Sequence, residues 1–190
     1  RDDAWKQETI RNTSERQWRQ EFECEFLGST NTLIEPAKLR NMPYKPPIRK
    51  QQELDVYVEP QKGHAYCTLV DTASGVGQDY STFTIIDVTE IPYKVVAKYR
   101  NNEISPIIFP NIIEQISTQY NKSWCLVETN GNGMQVGDIL YYDLEYENTI
   151  LTSPNKGGQE VSGGFKKNSR IGLITSKHVK RTGCTTIKEL

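Results

Sequence analysis

Ala65-Tyr66-Cys67-Thr68-Leu69-Val70-Asp71-Thr72-Ala73-Ser74-Gly75-Val76-Gly77-Gln78-Asp79-Tyr80, followed at once by Ser81-Thr82-Phe83-Thr84-Ile85-Ile86-Asp87-Val88, is the stretch from which the fold can be read. Two runs rich in β-branched and aromatic residues are joined by a glycine-broken loop, which predicts two antiparallel strands over 65–71 and 81–88. Tyr93 to Tyr99 alternates roughly behind Pro92 and predicts a third strand of the same meander. The first strand ends on Asp71, and the loop delivers Asp79 at the start of the second. Two such charges repel, and a folded protein tolerates them together mainly when a cation or a proton lies between them.

The period then changes. Ser105-Pro106 opens a predicted helix with Ile108, Ile112, Ile113 and Ile116 on its apolar face. Trp124-Cys125-Leu126-Val127 is almost continuously apolar, which predicts a buried, parallel fourth strand, and it ends on a third acid, Glu128. A helix over about 134–147 and a strand around 149–151 come next. Three antiparallel strands succeeded by alternating helix and strand make a mixed α/β fold.

Further upstream, Ser14-Glu15-Arg16-Gln17 fits a capping box. It opens a helix in which Trp18, Phe22 and Phe26 recur every fourth residue, closed by Gly28. Residues 1–40 read as the end of a preceding domain, and the polar, proline-bearing stretch 41–54 as a linker. Residues 55–190 then form the main domain. The chain opens on Arg1 and stops at Thr185 to Leu190, which reads as a helix only just begun, so a fragment of a longer protein is expected.

The net charge of −1 over 190 residues conceals an uneven distribution. From 155 to 182 the basic residues are Lys156, Lys166, Lys167, Arg170, Lys177, Lys180 and Arg181, against Glu160 alone. A basic segment set against an acidic cluster suits a protein that holds phosphates with one and metal with the other. Residues 154–170, rich in Gly, Lys, Asn and Ser, read as a mobile loop or long hairpin returning along 171–174. Cys24, Cys67, Cys125 and Cys184 contain no CxxC pair and fit a reducing compartment. The longest apolar runs fall far short of the ~20 residues of a membrane span.

If the fourth strand lies beside the first, Asp71 and Glu128 share one sheet end. Hard carboxylate oxygens there suit magnesium, which keeps waters and needs few protein ligands. Two such ions about 4 Å apart can stabilise the attacking and leaving oxygens of phosphodiester cleavage. His64 and His178 are too few and too unsupported for a nucleophilic triad; His64 reads as a surface residue and His178 as a phosphate contact. Asp79 could instead cap its loop, and Glu128 could pair with a lysine. Asp87 falls at the opposite end of the sheet by alternation. Gly131 to Gly137 resembles a dinucleotide fingerprint but has one residue too many between its second and third glycines, and no GxxxxGK[ST] loop occurs.

Leu69 to Ser81, with Ile85-Ile86-Asp87-Val88-Thr89 and Val127-Glu128-Thr129-Asn130, closely resembles the nuclease domain of large terminase subunits from contractile-tailed, headful-packaging bacteriophages. Gln17 to Phe22 and Gly28 to Ile34 resemble the end of the same protein's ATPase domain. The resemblance implies an RNase H-like mixed sheet with a basic β-hairpin insertion over 155–181. Asp71 and Glu128 match two members of the family's acidic triad, and Asp79 a further aspartate near the metal. The triad's last aspartate lies in a His-Asp-Asp-like stretch on a C-terminal helix, which does not occur up to Leu190. The resemblance therefore implies a domain truncated before that helix.

It also implies a magnesium- or manganese-dependent endonuclease, with two ions, that cuts concatemeric double-stranded DNA with little sequence preference. Lys166, Lys167, Arg170, Lys177, Lys180 and Arg181 would hold phosphates. ATP would belong to the preceding domain alone. Portal or procapsid and a small terminase subunit would be partners, in the host cytoplasm on the viral procapsid and without a membrane. A DNA-binding or motor-coupling module without catalysis, and a resolvase or RNase H-type nuclease, are the alternatives.

Overall fold

The alternation read in 66–71 becomes a strand with Tyr66, Thr68 and Val70 buried and Leu69 and Asp71 exposed, because period-two side chains fall on opposite sheet faces. A computed structural model describes residues 3–12, 14, 15, 18, 34, 38, 40–155, 158–164 and 168–189. They divide into two compact units, one within residues 1–44 and 183–190, the other within 45–182. In the first, α1 (Asp3–Asn12) sets Trp5 edge-on to the buried Trp18, ring centroids 5.1 Å apart. The helix expected from Ser14 through Phe26 lies largely outside the described residues.

The larger unit is built on a six-stranded sheet. Its strands are β1 (Arg49–Gln51), β2 (Leu54–Val56), β3 (Tyr66–Asp71), β4 (Ser81–Asp87), β5 (Lys94–Asn101) and β6 (Trp124–Val127), in the order β1-β2-β5-β4-β3-β6. The pairings β3–β4 and β4–β5 are antiparallel, whereas β3–β6 is parallel, with Val70 opposite Val127. The mixed sheet is therefore the one the sequence predicts.

One face carries the core. Val56, Tyr66, Val70, Phe83, Ile85, Ala97 and Val127 pack beneath α2 (Phe109–Gln119), with Phe109 and Ile113 fully buried. Burying such apolar surface is the main driving force of the fold. Within this core Thr68 Oγ1 lies 2.6 Å from Ser123 Oγ and 3.1 Å from Ser117 Oγ, and the Tyr146 hydroxyl donates to the Ser123 carbonyl. A satisfied buried network of this kind ties β3, α2 and β6 together.

Several expectations need correction. Residues 49–54, expected as linker, instead form a hairpin with 55–56, since Leu54 and Val56 bury themselves against β5; the proline signals end at Pro47. Helix α2 begins at Phe109 rather than Ser105, so Ile108 is its exposed N-cap and Phe109 takes the core position. β6 is not buried on both sides: Trp124 is exposed and Leu126 half-buried. The helix expected over 134–147 stops early, as α3 (Gly133–Asp138) passes into a π-helical turn over Ile139–Asp143.

The segment beyond is more ordered than a loop. β7 (Leu151–Asn155) pairs with β8 (Gly158–Ser162) and with β9 (Arg170–Ile171) in a second sheet of order β8-β7-β9. The terminal helix α4 spans Lys177–Glu189 and starts eight residues before the expected Thr185, because Ser176 Oγ accepts the Val179 N–H at 3.2 Å. Lys177, Lys180 and Arg181 therefore lie on a helix, not on a hairpin arm.

Candidate metal centre

Parallel pairing of β3 and β6 makes the site. Glu128 donates its backbone N–H to the Val70 carbonyl at 2.9 Å, which continues the register by one residue and brings Glu128 alongside Asp71. Both then stand on the sheet face opposite the core, at the same strand end. Thr82 on β4 and Arg100 on β5 continue this row, paired across from Asp71 and from each other.

The loop between β3 and β4 is held at several points. Ala73 N–H donates to the buried Ser81 Oγ at 3.0 Å, and Gly77 exchanges hydrogen bonds with Asn102. Gly75, at φ +69°, abuts the Ile104 carbonyl so closely that no Cβ fits there. Asn132 Nδ2 donates to Ser74 Oγ at 3.1 Å, joining the loop to the start of α3. Asp79 and Tyr80 are thus carried on a braced loop.

The end of β6 is approached closely from two sides. A Cβ on Gly133 would collide with the Glu128 carbonyl, and one on Gly172, at φ +64°, with the Val127 carbonyl. Leu173 forms a parallel bridge to Glu128, donating to the Val127 carbonyl at 2.8 Å and accepting from Thr129 at 2.9 Å. Asn130 then bonds both backbone groups of Thr175. These contacts bring Arg170 and Lys177 within a few residues of the chain packed against Glu128.

Electrostatics single out Asp71. What burial it has, the adjacent Glu128 charge and, more weakly, Asp79 push its carboxyl above the ordinary aspartate range, opposed by a hydrogen bond from Thr72 N–H. Thr72 Oγ1 is buried and finds no hydrogen-bond partner among the described residues. Two hard carboxylates in mutual repulsion beside an unpartnered hydroxyl fit a hard divalent cation that retains water. Asp79 is brought near enough to be felt as charge. However, no group of three or more His, Cys, Asp or Glu side chains among the described residues is placed to hold an ion.

The remaining expected residues are scattered around this pair. Arg170 is exposed on β9, and Lys177, Lys180 and Arg181 are exposed along the first turns of α4. Lys166 and Lys167 lie outside the described residues. His64 is not a free surface residue: its Nδ1 lies 2.7 Å from Asp87 Oδ2, at the sheet end opposite Asp71. Gly133 and Gly172 seat Glu128, a role that the sequence patterns above did not bring out. Gly133 was recoverable, since the rejected fingerprint still marks a close backbone approach.

The chain resembles known proteins in the same region. The sequence profile described as the terminase RNaseH-like domain matches residues 68–190. Crystal structures of the large terminase nuclease from thermophilic phage G20c, with bound cobalt and with bound magnesium, each superpose with a TM-score of 0.52 at 19% identity, covering 76% of this chain and 63% of theirs. The form with bound zinc gives the same score and identity over 69% of its chain. At that identity the likeness shows the fold, and this chain spans about 63% of the length of the first two G20c chains. Sheet order, crossover helix and family profile agree: the chain belongs to the terminase RNase H-like domain family.

Proposed function

We propose that this domain is a divalent-cation-dependent endonuclease that cuts double-stranded DNA during packaging. The reading is carried by the parallel β3–β6 register, which sets Asp71 and Glu128 side by side with the Asp71 carboxyl pushed up. Magnesium or manganese held by this pair would neutralise phosphodiester charge and lower the pKa of an attacking water. The G20c structures hold cobalt, magnesium or zinc, which supports a divalent ion without choosing one.

The chain's own residues orient the substrate. Asp71 and Glu128 present the ligand oxygens, and Asp79 adds negative charge from its braced loop. Arg170, Lys177, Lys180 and Arg181, with Lys166 and Lys167, hold backbone phosphates, contacts that carry little sequence information. Lys177, Lys180 and Arg181 occupy the N-terminal half of α4, where positive charge opposes the helix dipole. Bound phosphate would offset that cost.

In the wider assembly, residues 1–40 are the end of a preceding ATPase domain, and the nuclease begins with the hairpin over 49–56 that edges its sheet. Portal and small subunit are its partners on a procapsid in the host cytoplasm. Plasmid cleavage with magnesium or manganese by the full-length protein tests the central reading: it should cut, and its Asp71→Asn and Glu128→Gln variants should not. Metal-independent cutting, or normal cutting by both variants, would refute it.

A further inference from the structure

We propose that Arg100, stacked on Tyr80, is a phosphate-binding residue that seats the DNA backbone on the sheet face carrying Asp71. The inference rests on the nuclease reading above for the identity of the ligand, but its geometry is independent of the metal.

Arg100 is paired across from Thr82, and Thr82 across from Asp71, so all three side chains leave the same face. Two inter-strand steps separate Arg100 from Asp71, about 10 Å. The guanidinium lies 3.6 Å from the centroid of the ring of Tyr80, the residue directly after Asp79. Stacking of this kind fixes a planar fork while leaving its N–H edges available.

No described carboxylate forms an ion pair with Arg100, whereas Arg49 is paired with Glu59, Lys50 with Asp55 and His64 with Asp87. The side chain is exposed, while its backbone N–H is anchored to the Glu53 carbonyl at 3.1 Å. Thus a cation is pre-oriented, left without an anion among the described residues, and set on the face of Asp71 two strands from it, where the acids themselves repel a phosphodiester. A guanidinium fork in that position supplies the bidentate contact that a phosphate oxygen pair accepts. It also places a phosphate contact on the opposite side of Asp71 from β6 and the chain around Gly172 and Leu173 that packs against it.

The test is binding of a short fluorescent DNA duplex of mixed sequence, in EDTA, over a series of salt concentrations. Arg100→Gln should weaken binding about tenfold, as loss of one charge-assisted contact does, and reduce the salt slope by about one. Arg100→Lys should keep most of the slope and lose part of the affinity. Tyr80→Leu should weaken binding with the slope unchanged, and Lys62→Gln should change neither. Unaltered affinity and slope in Arg100→Gln overturn the inference. If Asp71→Asn still abolishes magnesium-dependent cutting in that case, the nuclease reading stands and only the Arg100 assignment fails. If cutting survives Asp71→Asn, the nuclease reading fails and the binding series still decides Arg100.

Discussion

The hydroxyl of Thr68 lies 2.6 Å from that of Ser123 in the core, two residues below Val70 on β3 and one residue before β6. This contact joins the two strands whose ends carry Asp71 and Glu128. Thr68→Val would leave Ser123 and Ser117 short of a partner, and we expect a loss of about 1–3 kcal/mol. Urea unfolding of the variant measures it; a midpoint unchanged from wild type would show that the network contributes nothing.

Repulsion between Asp71 and Glu128 has a measurable sign. Because the folded protein raises the Asp71 carboxyl, the charged form is disfavoured, and that contribution to stability is lost as pH rises through the folded value. Asp71→Asn should therefore not lower the melting temperature at neutral pH without metal. Magnesium should raise the melting temperature of the wild type, and both Asp71→Asn and Glu128→Gln should lose most of that rise. Equal rises in all three proteins would place the ion elsewhere.

Asp87 behaves oppositely. Partial burial alone would raise its carboxyl, but hydrogen bonds from Thr89 and His64 outweigh it and hold the value down to about 2. An unfolded aspartate titrates near ~3.9, so the stabilisation is present above that pH and disappears as pH falls towards the folded value. Thermal melts of wild type and Asp87→Asn should converge between about pH 4 and 2. A constant gap across that window would contradict the assignment.

Gly133→Ala should act on the site from the core side. The added methyl meets the Glu128 carbonyl, so either α3 or the end of β6 must shift. We expect a loss of about 1–3 kcal/mol, with cleavage falling further than in a surface variant of equal stability. Unfolding and cleavage measured on the same preparations separate the two effects.

Lys177→Gln combined with Lys180→Gln should reduce the salt slope of DNA binding by about two. The same change should stabilise α4, because it removes positive charge from the helix's N-terminal half. Weaker binding alongside an equal or higher melting temperature is the expected pair of results. A drop in both would mean the lysines serve structure.

Much of the fold was legible because the apolar positions keep one period for long enough. Residues 66–71 and 81–87 alternate, 94–101 does so only roughly, with Val96 and Ala97 both buried at a register shift against β4, and the apolar run Trp124–Val127 is followed at once by Glu128. The hairpin 49–56 was illegible because two three-residue strands next to prolines carry too few positions to show a period. The π-helical turn was missed because Ile139, Leu140 and Leu144 have helical spacing; Leu144 N–H reaches the Ile139 carbonyl at 2.9 Å, one residue beyond the α pattern. Arg100 and Tyr80 gave no signal, being twenty residues apart with nothing in their spacing to link them.

By itself the sequence determined the strand–loop–strand core, the crossover to a parallel strand, and the two acids that end those strands. These features arise from local alternation, turn chemistry and the run length of apolar residues. Only the tertiary structure decided that Asp71 and Glu128 share a face and that Asp79 is felt as charge without joining a three-carboxylate cluster. It alone set Arg100 in the same row, since hydrogen-bond register between distant segments fixes which side chains meet.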